Sequence, residues 1–480
     1  MTDITSASPA RTTTASTLVA RAASSRWATL AVLLTGTCLI VLDFFIVNVA
    51  LPSLQRDLHA GTTGLEWVVA GYGLTFAVFL LAAGRLGDRI GRRRMFALGV
   101  AGFTAASAAC GLAPTTAVLI SARLAQGVAA AMISPSVLAL IGVRYDGHER
   151  VRAVGIYATV MGVAAAGAQL VGGLLLQADI GGLGWRLVFL VNVPIGLAAL
   201  AAVRRCVPES RAQTTDPIDI TSLLLATFAL TALVLPLVDG HDAGWPWWTY
   251  ACVATAPVFA TAFTLRQRAL VRRAGAPLLA PALFRQRSFT VGLITQFAFW
   301  SGQASYFLVL AIYLQSGRGL SPLAAGVVFS VLAGAYLATS MRAARLTARF
   351  GRAVVVTGAL TLAGGHLATV VATWEIGTSG PVTALLPGLV LEGAGMGLCL
   401  TPITATVLTH ADPQRAGAVS GALSTVQQVG NAVGVAAIGL VFFAAAPGGD
   451  AVAFTRSVGV LAALLLTVAV LATRLPGRPR

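Results

Sequence analysis

Long apolar runs separated by short polar segments account for most of the chain. A helix needs about 20 mostly apolar residues to cross a lipid bilayer, and about fourteen runs meet this condition. Within each run the apolar residues are continuous rather than alternating, which favours helices over the strands of a membrane barrel. The predicted spans are 27–51, 65–83, 95–113, 116–141, 151–177, 186–204, 218–238, 249–267, 289–315, 323–341, 353–373, 381–408, 417–444 and 456–474.

The amino-acid composition agrees with this pattern. Of the 480 residues, 57% are hydrophobic and 10% are charged, whereas roughly 25% of the residues in a soluble globular chain are charged. The cysteines are scattered, and their spacing fits neither a disulfide framework nor a metal site. They are Cys38, Cys110, Cys206, Cys252 and Cys399. We therefore predict an all-α polytopic membrane protein with no metal site.

Positive charge is concentrated in alternate loops. The net charge is +16, and arginine supplies all of the Lys+Arg total because the sequence has no lysine. Arginines follow the even-numbered spans up to the twelfth and end the chain, whereas the other loops carry few of them. Basic residues mark cytoplasmic loops, so we expect a multi-pass protein of the cell inner (plasma) membrane with both termini cytoplasmic. Segments 1–26 and 475–480 are expected to be cytoplasmic tails, the first of them disordered rather than a secretory leader.

An internal repeat organises the spans. The loop "GRLGDRIGRRR" (84–94) recurs in part as "RLTARFGR" (345–352), and these loops follow spans two and ten. When spans seven and eight are set aside, each loop becomes the second loop of a six-helix unit, and such repeats are common in secondary transporters. We therefore predict an N-terminal six-helix bundle over 27–204, a linker with two inserted helices over 205–288, and a C-terminal six-helix bundle over 289–474.

Several segments resemble one family of transporters. "GRLGDRIGRRR" is similar to the loop signature of the major facilitator superfamily, G-x-x-x-D-R-x-G-R-R/K. "LDFFIVNVALPSL" (42–54) and "RLAQGVAAAM" (123–132) resemble the first- and fourth-helix motifs of its fourteen-helix drug:proton antiporter branch, the QacA/EmrB type. The other segments that match this branch are "GWRLVFLVNVPIG" (184–196), "PALFRQRSF" (281–289), "YLQSGRGLSPLAAG" (313–326) and "STVQQVGNAVGVA" (424–436).

The resemblance implies a function as well as a fold. It implies a major facilitator fold of two pseudo-symmetric six-helix bundles plus two inserted helices. Such a protein exports hydrophobic or cationic small molecules, for example drugs, antibiotics or dyes, in exchange for protons by alternating access. The resemblance further implies no cofactor beyond the proton motive force and a monomer in the lipid bilayer. We expect no nucleic-acid partner, because the arginines lie between spans on the cytoplasmic side, and no enzymatic activity, because the sequence has no catalytic motif such as H-E-x-x-H. Without lysine the chain has no P-loop, which excludes ATP-driven transport by that route.

Two alternatives stay open from the sequence. One is a facilitator-type importer or uniporter of a small metabolite. A difference from the family's usual fifth-helix motif slightly favours this alternative. The fifth span usually reads G-P-x-x-G-G in these exporters but reads "GAQLVGG" (167–173) here, so Ala168 replaces the proline and the kink that proline causes is predicted to be absent. The glycines that remain suit close helix packing; they are Gly162, Gly167, Gly172 and Gly173. The other alternative is a non-transporting membrane receptor or a lipid-processing enzyme, although the loops are too short for a large receptor domain.

Four ionisable residues within the spans are candidates for function, because such residues usually face the protein interior or a water path. Asp43 and Arg123 are expected at similar depths, from a rise of about 1.5 Å per residue. We predict that Asp43 binds the coupled proton and that burial and the Arg123 guanidinium have opposing effects on its affinity. A static ion pair that fixes two helices is the alternative. Glu392 could carry a second proton, select cationic substrate or serve as a hydrogen-bonded structural carboxyl group. A lone histidine such as His366 is more often a packing residue, although unperturbed imidazole titrates near physiological pH.

A substrate cavity should be apolar with a few polar groups. The side chains predicted to supply this mixture are Asn48, Gln126, Gln296, Trp300, Gln303, Tyr306, Gln427 and Asn431. Three of them, Gln296, Trp300 and Gln303, recur at helical spacing on one face. The same spacing also suits hydrogen bonds between helices.

The loop that follows span two is a candidate conformational latch. In the family that it resembles, the aspartate and arginines form a charge network that holds the two halves in the outward-facing state. The corresponding residues are Gly84, Asp88, Arg89, Gly91 and Arg92. Asp88 is predicted to lie at a helix N-terminus of the other half, where the helix dipole favours a carboxylate. The second copy of the loop has Ala348 in place of this aspartate, so only the first copy is predicted to act as the latch.

Overall fold

Helices make up nearly all of the computed structural model, which describes residues 10–211, 219–240, 243–273, 275, 277–279, 281–409 and 416–475. Thirteen helices in these ranges are long and apolar enough to cross a membrane, and a bent pair counted as one span makes fourteen. The helices are α1 (Ala10–Leu58), α2 (Thr62–Ile90), α3 (Arg92–Gly111), α4 (Thr116–Arg144), α5 (Gly147–Ala178), α6 (Gly184–Cys206), α7 (Ile220–Asp239), α8 (Trp247–Arg272), α9 (Arg287–Ile312), α10 (Pro322–Phe350), α11 (Ala353–Ile376), α12 (Leu386–Thr409), α13 (Ala416–Ala445) and α14 (Asp450–Ala472).

The predicted all-α membrane fold is confirmed, and each predicted span corresponds to one of these helices. Helices α1–α6 pack among themselves, and so do α9–α14. The two sets meet along two seams, one between α5 and α10 and the other between α2 and α13. The inserted helices α7 and α8 pack on each other, and α7 also packs on α2 and α13. The insert therefore lies against the second seam.

The first helix begins earlier than the sequence predicts. Residues 10–26 belong to α1, although the whole of 1–26 was expected to be a disordered tail. Alanine is the strongest helix former, and several alanines in this segment adjoin a long membrane helix, which explains the extension. Residues 1–9 and 476–480, the remaining parts of the two predicted tails, lie outside the described residues.

The fifth helix is bent despite the missing proline. Segments Arg152–Ala165 and Gly167–Ala178 are inclined to each other by 42°, so the predicted absence of a kink beside Ala168 is wrong. Helix kinks also arise at glycines, and two glycines hold the outer segment tightly against its neighbours. A methyl group on Gly172 would lie 2.8 Å from Ile46 Cγ1, and one on Gly173 would lie 2.6 Å from the Pro322 carbonyl oxygen. The substitution at Ala168 therefore does not remove the bend.

Candidate functional site

A buried cluster of polar side chains surrounds Asp43 at the centre of α1–α6. Its carboxylate accepts hydrogen bonds from Arg123 Nη1 at 2.5 Å, from Gln126 Nε2 at 2.8 Å and from Asn192 Nδ2 at 2.8 Å. Gln126 Nε2 also donates to Ser107 Oγ at 2.8 Å. We call these five residues the Asp43 cluster. They come from α1, α3, α4 and α6, so the cluster ties four helices together.

Arg123 is held by the second helix as well as by Asp43. Its Nε donates to the Val68 carbonyl oxygen at 2.9 Å, and its guanidinium lies 4.4 Å from the centre of the Tyr72 ring. The Phe189 ring of α6 lies on the guanidinium at 5.7 Å. Arg123 and Asp43 are both fully buried. Two buried opposite charges offset each other, although each has lost its contact with water.

Among the described residues, nitrogen donors alone contact the Asp43 carboxylate. Arg123 is permanently charged, and the amide groups of Gln126 and Asn192 present N–H groups to the carboxylate oxygens. The guanidinium of Arg123 can only donate, and Gln126 Oε1 accepts from Arg123, which turns the Gln126 N–H group towards the carboxylate. The observed arrangement therefore stabilises the ionised carboxylate. Protonation of Asp43 would therefore require at least one of these donors to move away.

Sequence reasoning found two members of this ion-pair network and assigned a third to a different role. The expected proximity of Asp43 and Arg123 is correct, whereas Gln126 belongs to their cluster rather than lining an open cavity. Ser107 and Asn192 were missed. Asn192 lies within one of the segments that resemble the family, "GWRLVFLVNVPIG", and a polar side chain inside an apolar span was the available signal.

A second buried carboxylate lies in the other half. Glu392 Oε1 lies 3.0 Å from His366 Nδ1 and accepts a hydrogen bond from Thr369 Oγ1 at 2.8 Å. The Tyr306 ring stacks on the His366 imidazole with centroids 4.5 Å apart. We call Tyr306, His366, Thr369 and Glu392 the Glu392 cluster. The pairing of His366 with Glu392 was missed, because it depends on the packing of α11 against α12.

Glycines bring α12 close enough to place Glu392 in this cluster. A methyl group on Gly365 of α11 would lie 2.7 Å from Glu392 Cγ, and one on Gly393 would overlap the Leu332 carbonyl oxygen of α10. The sequence "GAGMG" (393–397) therefore acts in helix packing, as its position within an apolar span predicts.

A narrow cavity lies at the seam between α5 and α10. It is lined by Ala165, Gln169, Phe307, Phe329, Leu332, Ala333, Tyr336 and Met396. The Phe307 ring is stacked on Phe329 with centroids 5.6 Å apart, and Phe45 of α1 approaches Phe307 at 5.1 Å. Aromatic rings of the second half therefore line this space, and α5 of the first half forms its other side.

The eight residues predicted to line a substrate cavity are dispersed and do not line this one. Asn48 donates to the Phe45 carbonyl oxygen of its own helix at 3.1 Å, and Asn431 donates to Gln428 Oε1 at 3.1 Å. Gln296 reaches Thr404 Oγ1 of α12 at 3.5 Å. Trp300 and Gln303 are buried along α9, and Gln427 is half-buried on α13. Tyr306 is the member that contributes to the Glu392 cluster.

The predicted latch is closed within its own half. Asp88 Oδ1 lies 2.8 Å from Arg92 Nη2, one turn away in sequence, rather than at a helix N-terminus of the other half. Gly91 separates α2 from α3 with φ +108°, and this turn brings Arg92 back towards Asp88. The carboxylate that caps α3 is Glu209, whose Oε1 accepts from the Arg93 backbone N–H at 3.1 Å. Arg89 is exposed, and Gly84 has open space around it.

Comparison with known proteins places these features in a family. Residues 33–435 match the sequence profile of the Major Facilitator Superfamily. The chain is 36% identical over 425 residues to the probable actinorhodin transporter of Streptomyces coelicolor, covering 87% of this chain and 72% of that protein. It is 36% identical over 412 residues to the multidrug resistance protein Stp of Mycobacterium tuberculosis, covering 85% and 74%. A crystal structure of a POT family transporter in complex with 5-aminolevulinic acid superposes with a TM-score of 0.67 at 15% identity, covering 92% and 96%. That structural likeness shows the fold alone.

Proposed function

Because the chain belongs to the Major Facilitator Superfamily, in its drug-efflux branch, we propose that it exports hydrophobic or cationic small molecules in exchange for protons. Like its relatives, it is a multi-pass membrane transporter and not an enzyme. The names of its relatives include actinorhodin, tetracenomycin C and puromycin. We propose antibiotics of this kind, and dyes, as the substrates. We place the protein in the plasma membrane as a monomer with both termini cytoplasmic.

The fully buried Asp43–Arg123 pair is the observation that carries the proton coupling. Removing one charge of a buried pair costs about 3–5 kcal/mol. Shifting a two-state population from about 1:99 to 99:1 takes about 5.5 kcal/mol. Protonation of Asp43 is thus of the right size to bias the exchange between two transporter conformations.

A proton on Asp43 acts on the helices that the cluster joins. The neutral carboxyl group has no charge and one acceptor oxygen fewer, so α1 loses its ionic contact with α4, and its hydrogen bond from Asn192 of α6 becomes a weaker, neutral one. In our proposal the two six-helix bundles, 27–204 and 289–474, then rock about the α5–α10 and α2–α13 seams. The loop of Asp88 and Arg92 holds one of the two states, and Glu392 contributes to coupling in the second bundle. The polar residues of α1, α4, α9 and α13 that were predicted from the sequence line the substrate path in the alternate state.

Accumulation of ethidium, a fluorescent cation, in inverted membrane vesicles tests this function. A proton gradient should drive ethidium into vesicles that contain the wild-type protein, and an uncoupler should abolish the uptake. Asp43→Asn should abolish uptake with normal membrane insertion. Uptake only in right-side-out vesicles would instead establish the importer, and unchanged proton-driven uptake by Asp43→Asn would exclude the coupling role.

Asp57→Asn is a matched control on the same helix. Asp57 also pairs with an arginine, Arg186 at 2.6 Å, but this pair lies at the protein surface. Since surface ion pairs contribute little, Asp57→Asn should retain uptake. A loss of uptake in both variants would indicate a general defect of α1 rather than a role for Asp43.

A further inference from the structure

The Glu392 cluster contains two groups whose hydrogen bonding is incomplete. Glu392 is fully buried and His366 nearly so. The Tyr306 hydroxyl faces Glu392 and Thr369. Neither this hydroxyl nor Glu392 Oε2 has a hydrogen-bond partner of normal geometry among the described residues. Buried polar groups rarely lack a hydrogen-bond partner. The cluster can therefore accommodate one additional proton on Glu392.

Thr369 is placed to serve two protonation states of Glu392. Its Oγ1 lies 2.8 Å from Glu392 Oε1 and 2.9 Å from the Gly365 carbonyl oxygen, although a hydroxyl group has one hydrogen to donate. When Glu392 is ionised, Thr369 donates to the carboxylate. When Glu392 is protonated, its O–H can donate to Thr369 Oγ1, and Thr369 donates to Gly365. The same heavy atoms therefore satisfy either state.

The imidazole of His366 has the same property, because neutral imidazole has one donor and one acceptor nitrogen and a second proton makes both donors. Its Nδ1 faces Glu392, and the Tyr306 ring of α9 covers its face. The ionisable groups of the other neighbouring helices lie elsewhere in the described structure. Tyr336 of α10 lies against Gly162, Asp450 of α14 lies against Gly317, and Arg456 of α14 is exposed. In the part of the chain that the structure describes, no arginine pairs with Glu392 to fix its ionised form, as Arg123 does for Asp43.

We propose that Glu392 and His366 form a second proton-carrying site, located in the C-terminal bundle and distinct from Asp43. The proton comes from water on one side of the membrane, resides on the Glu392–His366 pair with Thr369 as the hydrogen-bond switch, and leaves to water on the other side. When the proton leaves, the site gains one negative charge, one helical turn from Met396. Met396 lines the narrow cavity at the seam between α5 and α10. The deprotonated site therefore favours a cationic aromatic substrate. This inference rests on the proposed proton-coupled export.

The test measures protons and one carboxyl group directly in the full-length protein in lipid nanodiscs. Ethidium is added to protein in unbuffered solution, proton release is followed with a pH-sensitive dye, and infrared difference spectra record protonated carboxyl groups. Wild type should release protons and lose a protonated-carboxyl band. Glu392→Gln should lack that band and release about one proton fewer per protein. His366→Gln should move the band, because the hydrogen-bond partner of the carboxyl group changes.

Three further measurements make each result decisive. His59→Gln, a control at an exposed histidine, should leave the band and the proton count unchanged. Glu392→Asp keeps a carboxyl group and should shift the band rather than remove it, which tests the site even if Glu392→Gln fails to fold. A band and proton count in Glu392→Gln equal to those of wild type would overturn the second site. Absence of proton-driven ethidium uptake by wild type in inverted vesicles would instead overturn the proposed export.

Discussion

Two buried carboxylates, Asp43 in the first half and Glu392 in the second, are held by different kinds of partner. Asp43 accepts hydrogen bonds from one guanidinium, which can only donate, and from two amide groups that present their N–H groups to it. Glu392 contacts a hydroxyl group and an imidazole, both of which can donate or accept. The first cluster is built to hold a negative charge, and the second is built to hold a proton or release it.

The helix scaffold under the two clusters is the same. A side chain at Gly127 would overlap Thr75 Oγ1 and the Tyr72 carbonyl oxygen, and one at Gly397 would overlap Thr339 Oγ1 and the Tyr336 carbonyl oxygen. The two halves differ in the residue that lies four positions before each glycine.

At that position in the first half, Arg123 donates to the Val68 carbonyl oxygen. In the second half Gly393 packs on the Leu332 carbonyl oxygen, and the acid Glu392 precedes it. The two halves therefore share a helix crossing and differ in the chemistry placed upon it.

The largest expected difference between the clusters is the response to loss of a basic partner. Arg123→Met leaves a buried carboxylate without its counter-charge and should lower the free energy of unfolding by about 3–5 kcal/mol. His366→Gln removes a partner that is not permanently charged and should cost about 1–3 kcal/mol. Denaturant titration of both proteins in the same lipid–detergent mixture measures these values. Equal costs would contradict the distinction between fixed and reversible partners.

Hydrogen-bond deletions sharpen the same comparison. Asn192→Ala removes an amide donor to ionised Asp43 and should cost about 1.5–3 kcal/mol, the usual range for bonds to charged groups. Thr369→Val removes a hydroxyl group and should cost about 1 kcal/mol. Ethidium export should fall in both variants. If Thr369→Val proves the more destabilising, the assignment of the stronger charge to the Asp43 cluster is wrong.

Glycine substitutions test the shared scaffold. Gly127→Ala and Gly397→Ala each force a methyl group against a threonine and a backbone carbonyl, and overpacking of this kind costs about 1–3 kcal/mol. Because the two crossings are alike, the shifts in thermal unfolding midpoint should be similar. Gly84→Ala, at a position with open space, provides the control and should leave the midpoint nearly unchanged.

The partly exposed ion pair of the inserted helices should give the smallest effect. Asp219 lies before α7, and its hydrogen bonds with Arg266 lower the pKa of its carboxyl group. A lowered pKa contributes stability above the unfolded-state value, and this contribution is lost as the pH falls through the folded-state value. Asp219→Asn should therefore cost less than about 1 kcal/mol at neutral pH, and less still in acid or high salt. A cost that is independent of salt would place this pair with the buried ones.

Hydropathy is a local property, and for that reason the sequence alone predicted all fourteen spans. The proximity of Asp43 and Arg123 followed from their similar depths in the membrane, together with a family resemblance. Features that depend on helix rotation and packing were not predictable in the same way.

Ser107 and Asn192 point into the Asp43 cluster only because α3 and α6 are rotated as they are. Asp88 pairs with Arg92 rather than with a group of the other half, because the turn at Gly91 places that arginine nearby. The bend in α5 was missed because proline alone was taken as its cause, although glycine packing also permits it.

The position of α7 has a consequence for molecules dissolved in the bilayer. This helix lies against both α2 and α13, and its Asp239 accepts a hydrogen bond from Trp67 of α2 at 3.0 Å. The insert therefore covers the α2–α13 seam on its outer side, whereas among the described helices neither α7 nor α8 packs on the α5–α10 seam. A lipophilic drug that diffuses within a leaflet thus encounters two different sides of the transporter. Helix α7 covers the α2–α13 seam on one side, and the α5–α10 seam on the other side is not covered by α7 or α8 in the described structure.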